Sequence, residues 1–306
     1  MVIIGFGNQA KAWALNLRDS GQTPVIAARK NGGGFSLAKN LGFPTIALPS
    51  LELKGYSTFA LLTPDHTHAQ ILNDFKDFFP QQASFVFAHG YSLVTKNILL
   101  INPSWDHLLL APKSIGSEVR YQYETKGNLG AVYSVEHSRQ QKIHRDFILT
   151  LAKQLGINKG PYEVTIQDET VADLFSEQAL LCSILPYLSL ECFKLLRNEG
   201  ISKELAYFEL WQELKLIANT MVNLGPKNFF SLISPNALIG GQKGREVLLD
   251  QHFKNNLQSL LADIKNGVFF QQVEQNDVHQ LARNVSTFWE NEELEDIHQS
   301  LFGQHL

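Results

Sequence analysis

Four residues into the chain, the apolar run Met1 to Ile4 breaks on Gly5-Phe6-Gly7-Asn8-Gln9-Ala10, and Ala14, Leu15 and Leu17 then carry a helical pattern to Asp19-Ser20-Gly21. A short strand that ends on G-x-G-x-x-A and feeds a helix is the opening of a βαβ dinucleotide-binding unit. In that arrangement Gly5 permits the tight turn and Gly7 lets a pyrophosphate approach the backbone. Ala10 lets the helix lie close on the sheet, and the helix N-terminus faces the phosphates. An incidental glycine-rich turn is the competing reading, but it gives no reason for the order strand, turn, helix. The expected fold of the first half is therefore an α/β, Rossmann-type doubly wound sheet.

The second strand, Pro24 to Ala28, ends in Arg29-Lys30, where an NAD site would place a carboxylate for the ribose 2′-hydroxyl. Arg29, Lys30 and Ser36 suit a 2′-phosphate instead, so NADPH is favoured over NADH; the alternative is two ordinary cations on a solvated, Gly32-Gly33-Gly34 loop. Three further apolar strands follow at Thr58–Leu62, Phe85–Ala88 and Leu108–Ala111. They end on Thr63-Pro64-Asp65, His89-Gly90 and Pro112-Lys113. Ligands of doubly wound sheets bind beyond the carboxyl ends of the strands, which makes Pro64, Asp65, His89 and Lys113 candidate site residues. A strand at Gly130–Val135 and a helix at Ile143–Leu155 complete a first domain, residues 1–163, with a junction over Tyr162 to Asp168.

The second domain, residues 164–306, reads as all-α. Helices are expected over Asp173–Leu190 and Lys203–Leu224, a loop over Asn228–Gly240, an amphipathic helix over Glu246–Gly267 and an acidic surface helix in the tail. Two acidic pairs stand out, Asp173 with Glu177 and Glu209 with Glu213. Residues four apart share a helix face, and carboxylates in so apolar a sequence are costly without a compensating cation. Hard oxygen ligands suit Mg²⁺ or Mn²⁺. The plainer reading is two amphipathic helices with solvated acidic faces.

Composition removes other classes. With 306 residues and a net charge of −4 there is no global basic field for nucleic acid. Cys182 and Cys192 form no disulfide framework and read as small buried apolar residues. No leader pattern opens the chain and no uninterrupted apolar run of spanning length is found, so neither a membrane protein nor a secreted one is expected; the default location is cytoplasmic.

The strings GFGNQAKAWALNLRDSG, FAHGYS, APKSIGSEVR, ETVADLFSEQALLC, AYFELWQELKLI and SLISPNALIG stand in this order from Val2 to about Asp277. In them the chain resembles ketol-acid reductoisomerase, also called acetohydroxyacid isomeroreductase. The resemblance implies NADP(H) in the Rossmann domain, a knotted helical C-terminal domain and two Mg²⁺ ions. It implies alkyl migration in a 2-hydroxy-2-acyl acid such as 2-acetolactate, then reduction to a 2,3-dihydroxy acid, as in branched-chain amino-acid biosynthesis. Asp173 would bridge the ions, Glu177 and Glu213 would complete one shell each, and Glu209 would act through metal-bound water or from the next shell. Lys113 would bond near the bridging carboxylate, His89 would lie near substrate or nicotinamide, and Ser234 would bind the substrate carboxylate. The chain has the family's short form, which implies a homodimer whose active sites take Glu209, Glu213 and Ser234 from the neighbouring subunit.

The chain departs from the family at Ser114-Ile115-Gly116 (usually Gly-Pro-Gly), Ser176, Ser183-Ile184 and Pro235-Asn236-Ala237-Leu238. It also lacks the short segment that family members carry before the first strand. These positions shape the pocket, so a paralogue that reduces a different 2-keto acid, or a nucleotide-binding protein that has lost catalysis, are the alternatives.

Overall fold

A computed structural model describes residues 1–95 and 98–303, and the chain divides into two compact units, Met1–Thr170 and Val171–Leu306. The first contains β1 (Val2–Ile4), α1 (Asn8–Asp19), β2 (Val25–Arg29), α2 (Gly33–Asn40), β3 (Thr45–Leu48), β4 (Thr58–Leu61), α3 (His68–Asp74), β5 (Ser84–Phe87), α4 (Tyr91–Thr95), β6 (Asp106–Pro112), α5 (Gly116–Glu124), β7 (Gly130–His137), α6 (Gln141–Gln154) and β8 (Lys159–Glu163). Helix α7 (Ile166–Ser176) begins in it and runs on into the second unit.

The strands form one sheet in the order β3-β2-β1-β4-β5-β6-β7-β8. All neighbours are parallel except β6 and β7, which are antiparallel. The apolar strands alternate their side chains between two cores, as period-2 geometry requires. Ile3, Ile26, Val86, Leu108 and Leu110 meet the helices α1, α5 and α6 on one face. Val2, Ile4, Phe59, Phe85, Phe87 and Leu109 meet Leu72 of α3 and Leu93 of α4 on the other.

Two strands fall outside the expected set. β3 is a four-residue strand between Pro44 and Pro49, and β8 carries Pro161 and is largely exposed; both lie at the sheet's edges. Edge positions tolerate the proline and polarity that disguise them as loop.

The second unit is helical: α8 (Ser189–Asn198), α9 (Lys203–Tyr207), α10 (Glu213–Leu232), α11 (Pro235–Leu248), α12 (Gln251–Lys265), α13 (Val268–Gln275), α14 (Val278–Glu290) and α15 (Glu293–Phe302). Three π-helical stretches interrupt it, Glu177–Leu181, Ile184–Leu188 and Phe208–Gln212. The loop expected over Asn228–Gly240 is instead the end of α10 and the start of α11. Ser234 accepts a hydrogen bond from Ala237 N and Pro235 occupies the first helical turn, so Ser-Pro-Asn starts a helix here. The tail is not one surface helix, since α15 buries Leu294 and Ile297 against Leu190, Phe193 and Tyr207. Cys182 is exposed and Cys192 partly so, contrary to the buried reading; both are free thiols.

The helical run Ile166–Asn198 is, by length and composition alone, long and apolar enough to cross a membrane, although it is not an uninterrupted apolar run. It carries Glu169, Asp173 and Glu177 and is broken by two π stretches around Pro186. Core helices of soluble proteins pass the same test.

Candidate active site

The glycine turn is built as its sequence demands. Gly5 has φ +94°, and a Cβ there would lie 2.7 Å from Thr63 Cγ2; only glycine fits. Its N–H donates to Ala27 O at 2.9 Å, which pins the turn to β2. Gly7 caps α1 without any side-chain hydrogen bond. Nothing lies within 4 Å of where a Gly7 Cβ would stand, so the glycine at the start of α1 is open to an approaching group. An uncapped helix N-terminus over an open glycine is an anion cradle. Asn8 is exposed and Gln9 partly exposed. Phe6 is the exception among the expected cofactor residues: its ring is buried, edge-on to Phe43 at 5.8 Å, so only its backbone faces the cradle. Arg29 and Lys30, exposed, leave the carboxyl end of β2, and Ser36 is exposed on the first turn of α2. No Asp or Glu lies between Asp19 and Glu52 to repel a 2′-phosphate. The residues fit a phosphorylated dinucleotide.

Past the carboxyl ends of β4, β5 and β6 the polar side chains gather. His68 is buried and bonded at both nitrogens, to Ser92 Oγ at 2.7 Å and Thr63 O at 2.8 Å. A carbonyl only accepts, so Nε2 carries the proton and Nδ1 accepts from Ser92. Burial holds its pKa below the ordinary value, Asp65 pulling the other way. This neutral histidine ties the Thr63–Asp65 turn to the segment after His89. His89 presents Nδ1 to Asp65 Oδ2 and Nε2 to Glu169 Oε2, each at 3.9 Å.

Glu169 was not among the expected site residues, and it anchors this end of the sheet. Its side chain is fully buried; Lys113 Nζ donates to Oε1 at 2.6 Å and Gly90 N to Oε2 at 2.8 Å. A Cβ on Gly90 would come within 2.3 Å of Thr170 Oγ1 and 2.8 Å of Glu169 Oε2, so glycine is what lets the carboxylate reach the backbone. Likewise a Cβ on Gly116 would lie 2.4 Å from the Asn8 carbonyl. The start of α5, just after Lys113, therefore rests on the dinucleotide turn itself. Spacing could have found Glu169: it precedes Asp173 by four residues, as Asp173 precedes Glu177.

The four expected metal ligands lie on helical backbone of the second unit. Asp173 is on α7, partly exposed, and Glu177 opens the first π stretch. Glu209 lies in the third π stretch and Glu213 opens α10, both exposed. Both pairs thus meet a π turn, a rare irregularity that recurs at functional sites. The donors are all hard carboxylate oxygens, as Mg²⁺ requires. The Cys182 thiol, on an exposed residue, is pushed up by partial desolvation and further by the negative charges of Glu177 and Asp173. The donor set fits divalent cations. Ser234 is exposed and caps α11.

A doubly wound sheet that leaves a helix N-terminus open beside charged strand-end side chains is the build of a dinucleotide-dependent oxidoreductase. Known proteins narrow the class. Residues 1–160 match the family described as acetohydroxy acid isomeroreductase, NADPH-binding domain, and residues 166–303 match ketol-acid reductoisomerase, C-terminal domain. The chain is 34% identical over 271 residues to the ketol-acid reductoisomerase (NADP(+)) of Xanthomonas oryzae pv. oryzae, covering 88% of this chain and 80% of the relative. It is 32% identical, with the same coverage, to that of Tropheryma whipplei. Among solved structures it is similar to an NADH-preferring ketol-acid reductoisomerase from an uncultured archean, with a TM-score of 0.89 and 26% identity, over 99% of this chain and 94% of the other.

The chain belongs to the ketol-acid reductoisomerase family. The family's activity is a Mg²⁺-dependent isomerisation of a 2-hydroxy-2-acyl acid followed by NADPH reduction, in branched-chain amino-acid biosynthesis, and this chain is an oxidoreductase of that type.

Proposed function

We propose that Asp173, Glu177, Glu209 and Glu213 are the residues that would hold two Mg²⁺ ions. Lys113, His89 and Glu169 would serve the substrate end of the sheet, and Gly5 to Gln9 with Arg29, Lys30 and Ser36 would hold NADPH. Pro64 and Asp65 border the nicotinamide end, and Ser234 binds the substrate carboxylate. The observation that carries this reading is the Glu169 carboxylate, clamped between Lys113 Nζ and Gly90 N–H one helical turn ahead of Asp173. When bound, the ions supply Lewis acidity toward the substrate's hydroxyl and ketone oxygens, and the dinucleotide supplies hydride.

The residues have separate tasks. Lys113 keeps Glu169 in place and brings a positive charge to where alkoxide character develops. Gly90 N–H holds the second carboxylate oxygen, so the group cannot rotate. His89, poised between Asp65 and Glu169, is positioned to pass a proton at Nε2. His68 stays neutral and fixes the turn that carries Asp65.

A homodimer is part of this reading, as are the knotted path of the helical domain and a cytoplasmic location. Helix α10, opened by Glu213, leaves Leu214, Leu216, Met221, Val222, Leu224 and Phe230 exposed. Apolar exposure of this extent on one element is what an interface leaves on a single chain, and a second copy that takes Glu209, Glu213 and Ser234 into its own site would cover it.

Mixing two dead variants tests the reading. Asp173→Asn and Glu209→Gln should each abolish Mg²⁺-dependent NADPH oxidation with 2-acetolactate. After subunit exchange, a site shared across a two-fold dimer regains about a quarter of wild-type activity, because half the dimers are mixed and each carries one intact site. No recovery in demonstrably mixed dimers contradicts shared sites; full activity of either variant alone contradicts the ligand assignment.

A further inference from the structure

The π turn that bears Glu209 is held from behind by the C-terminal helices. Helix α9 ends on Tyr207, the π stretch Phe208–Gln212 follows at once, and α10 starts on Glu213. Tyr207 is 2% exposed. Its hydroxyl lies 2.7 Å from His298 Nδ1 on α15, and its ring meets those of His298 and Phe302, each at 6.0 Å. Within the π stretch, Trp211 packs on Trp289 of α14 at 5.9 Å. Helix α15 is fastened independently. Arg197 grips both oxygens of Glu293 at 2.9 and 3.0 Å, and Lys194 binds Glu292 at 2.9 Å. Leu210 and Trp211 face this platform, while Glu209, Gln212 and Glu213 are exposed.

A π turn is an extra residue inserted into an α-helix. If the stretch relaxed to α, everything beyond it would rotate by about 100°, one residue's worth of helix. The relative direction of Glu209 and Glu213 depends on keeping the insertion. The residues that hold it, Tyr207 immediately before the π stretch and Trp211 within it, are the ones in contact with α15 and α14.

We propose that His298, through its hydrogen bond to Tyr207, is a positioning residue that keeps the π turn in register and so aims the Glu209 and Glu213 carboxylates at the cation. The proposal rests on these two residues being metal ligands. It gives the C-terminal helix a task in the reaction although none of its residues is a ligand, in the manner of the outer groups that orient metal ligands elsewhere.

The test is calorimetric titration of Mg²⁺ into full-length protein, with NADPH affinity and a melting curve as controls. His298→Ala and Tyr207→Phe, the latter keeping the ring packing, should each weaken Mg²⁺ binding roughly tenfold and leave NADPH affinity unchanged. His298→Asn, whose amide can occupy the place of Nδ1, should restore it. Unchanged Mg²⁺ affinity in folded Tyr207→Phe and His298→Ala, beside weakened binding in Glu209→Gln, overturns the positioning role alone. Failure of His298→Asn to restore binding overturns it too, leaving bulk packing as the cause. Unchanged Mg²⁺ affinity in Glu209→Gln overturns the ligand assignment and the proposal with it.

Discussion

Strand β6 and helix α10 treat their apolar side chains in opposite ways. Every residue of β6, Asp106 to Pro112, is buried within its own chain. Over the twenty residues of α10 the buried side chain is Phe229, while Val222 is 79% and Leu232 68% exposed. The first unit finishes its own core on both faces of its sheet, and its site groups are held by short contacts within it: Lys113 to Glu169, Gly90 to Glu169, His68 to Ser92. The second unit presents carboxylates on helices whose apolar faces still ask for cover. The difference separates a unit that buries its own apolar faces from one that leaves the apolar face of α10 exposed within a single chain, the face that the proposed homodimer would cover.

Disturbing that cover should have the largest effect. Val222→Asp should yield a monomer by sedimentation that has lost Mg²⁺-dependent turnover yet binds NADPH with wild-type affinity. Wild-type turnover from a monomer would show that α10 needs no partner, and the contrast between the units would fall.

Next in size is an acid sensitivity confined to the first unit. His107, buried beside Phe85 and Phe87, has its pKa pushed down to about 4 by burial, helped by His137 and opposed by Asp106. Its Nε2 has no hydrogen-bond partner among the described residues. Below its ordinary value of 6.5 the unfolded chain takes up a proton that the folded chain refuses. This contribution to stability is therefore complete above that pH and is lost as the pH falls toward about 4, a loss of up to about 3 kcal/mol. His107→Leu should lose less stability than wild type between neutral and mildly acid pH in urea titrations. Equal losses would mean that His107 takes up its proton in the fold.

The smallest change is local. Gly90→Ala forces a methyl against Thr170 and Glu169, and should cost about 2 kcal/mol of stability, seen as a melting temperature lower by several degrees. It should lower kcat more than it weakens NADPH binding, because it dislodges the Glu169 clamp and leaves the glycine turn alone. A fall in NADPH affinity of equal size would instead tie Gly90 to the cofactor.

The same contrast governs what could be read from the sequence. The Rossmann half was legible because its signals are local: apolar runs of strand length, Gly5 and Gly7 where the backbone needs them, and polar residues at strand ends. It failed at β3 and β8, edge strands whose prolines imitate loop, and at Phe6, whose place in the motif did not say that its ring turns into the core. In the helical half the acidic pairs were legible by spacing, yet the π turns at Glu177 and Phe208 were not, since an inserted residue leaves no periodic mark. Ser234-Pro235 read as loop because serine and proline break helices and also start them. Glu169 obeys the same four-residue rule, but it stands beside Asp168, and spacing alone does not say which of the two carboxylates turns into the protein.

The most direct measurement is NADPH oxidation with Mg²⁺ and 2-acetolactate, run beside 3-hydroxy-3-methyl-2-oxobutanoate, the isomerised compound. Turnover of both is the predicted result and makes Ser114-Ile115 and Pro235 to Leu238 tolerated changes of the pocket. Turnover of the isomerised compound alone would contradict the isomerase step, and turnover of neither by protein that still binds NADPH would contradict the substrate class itself.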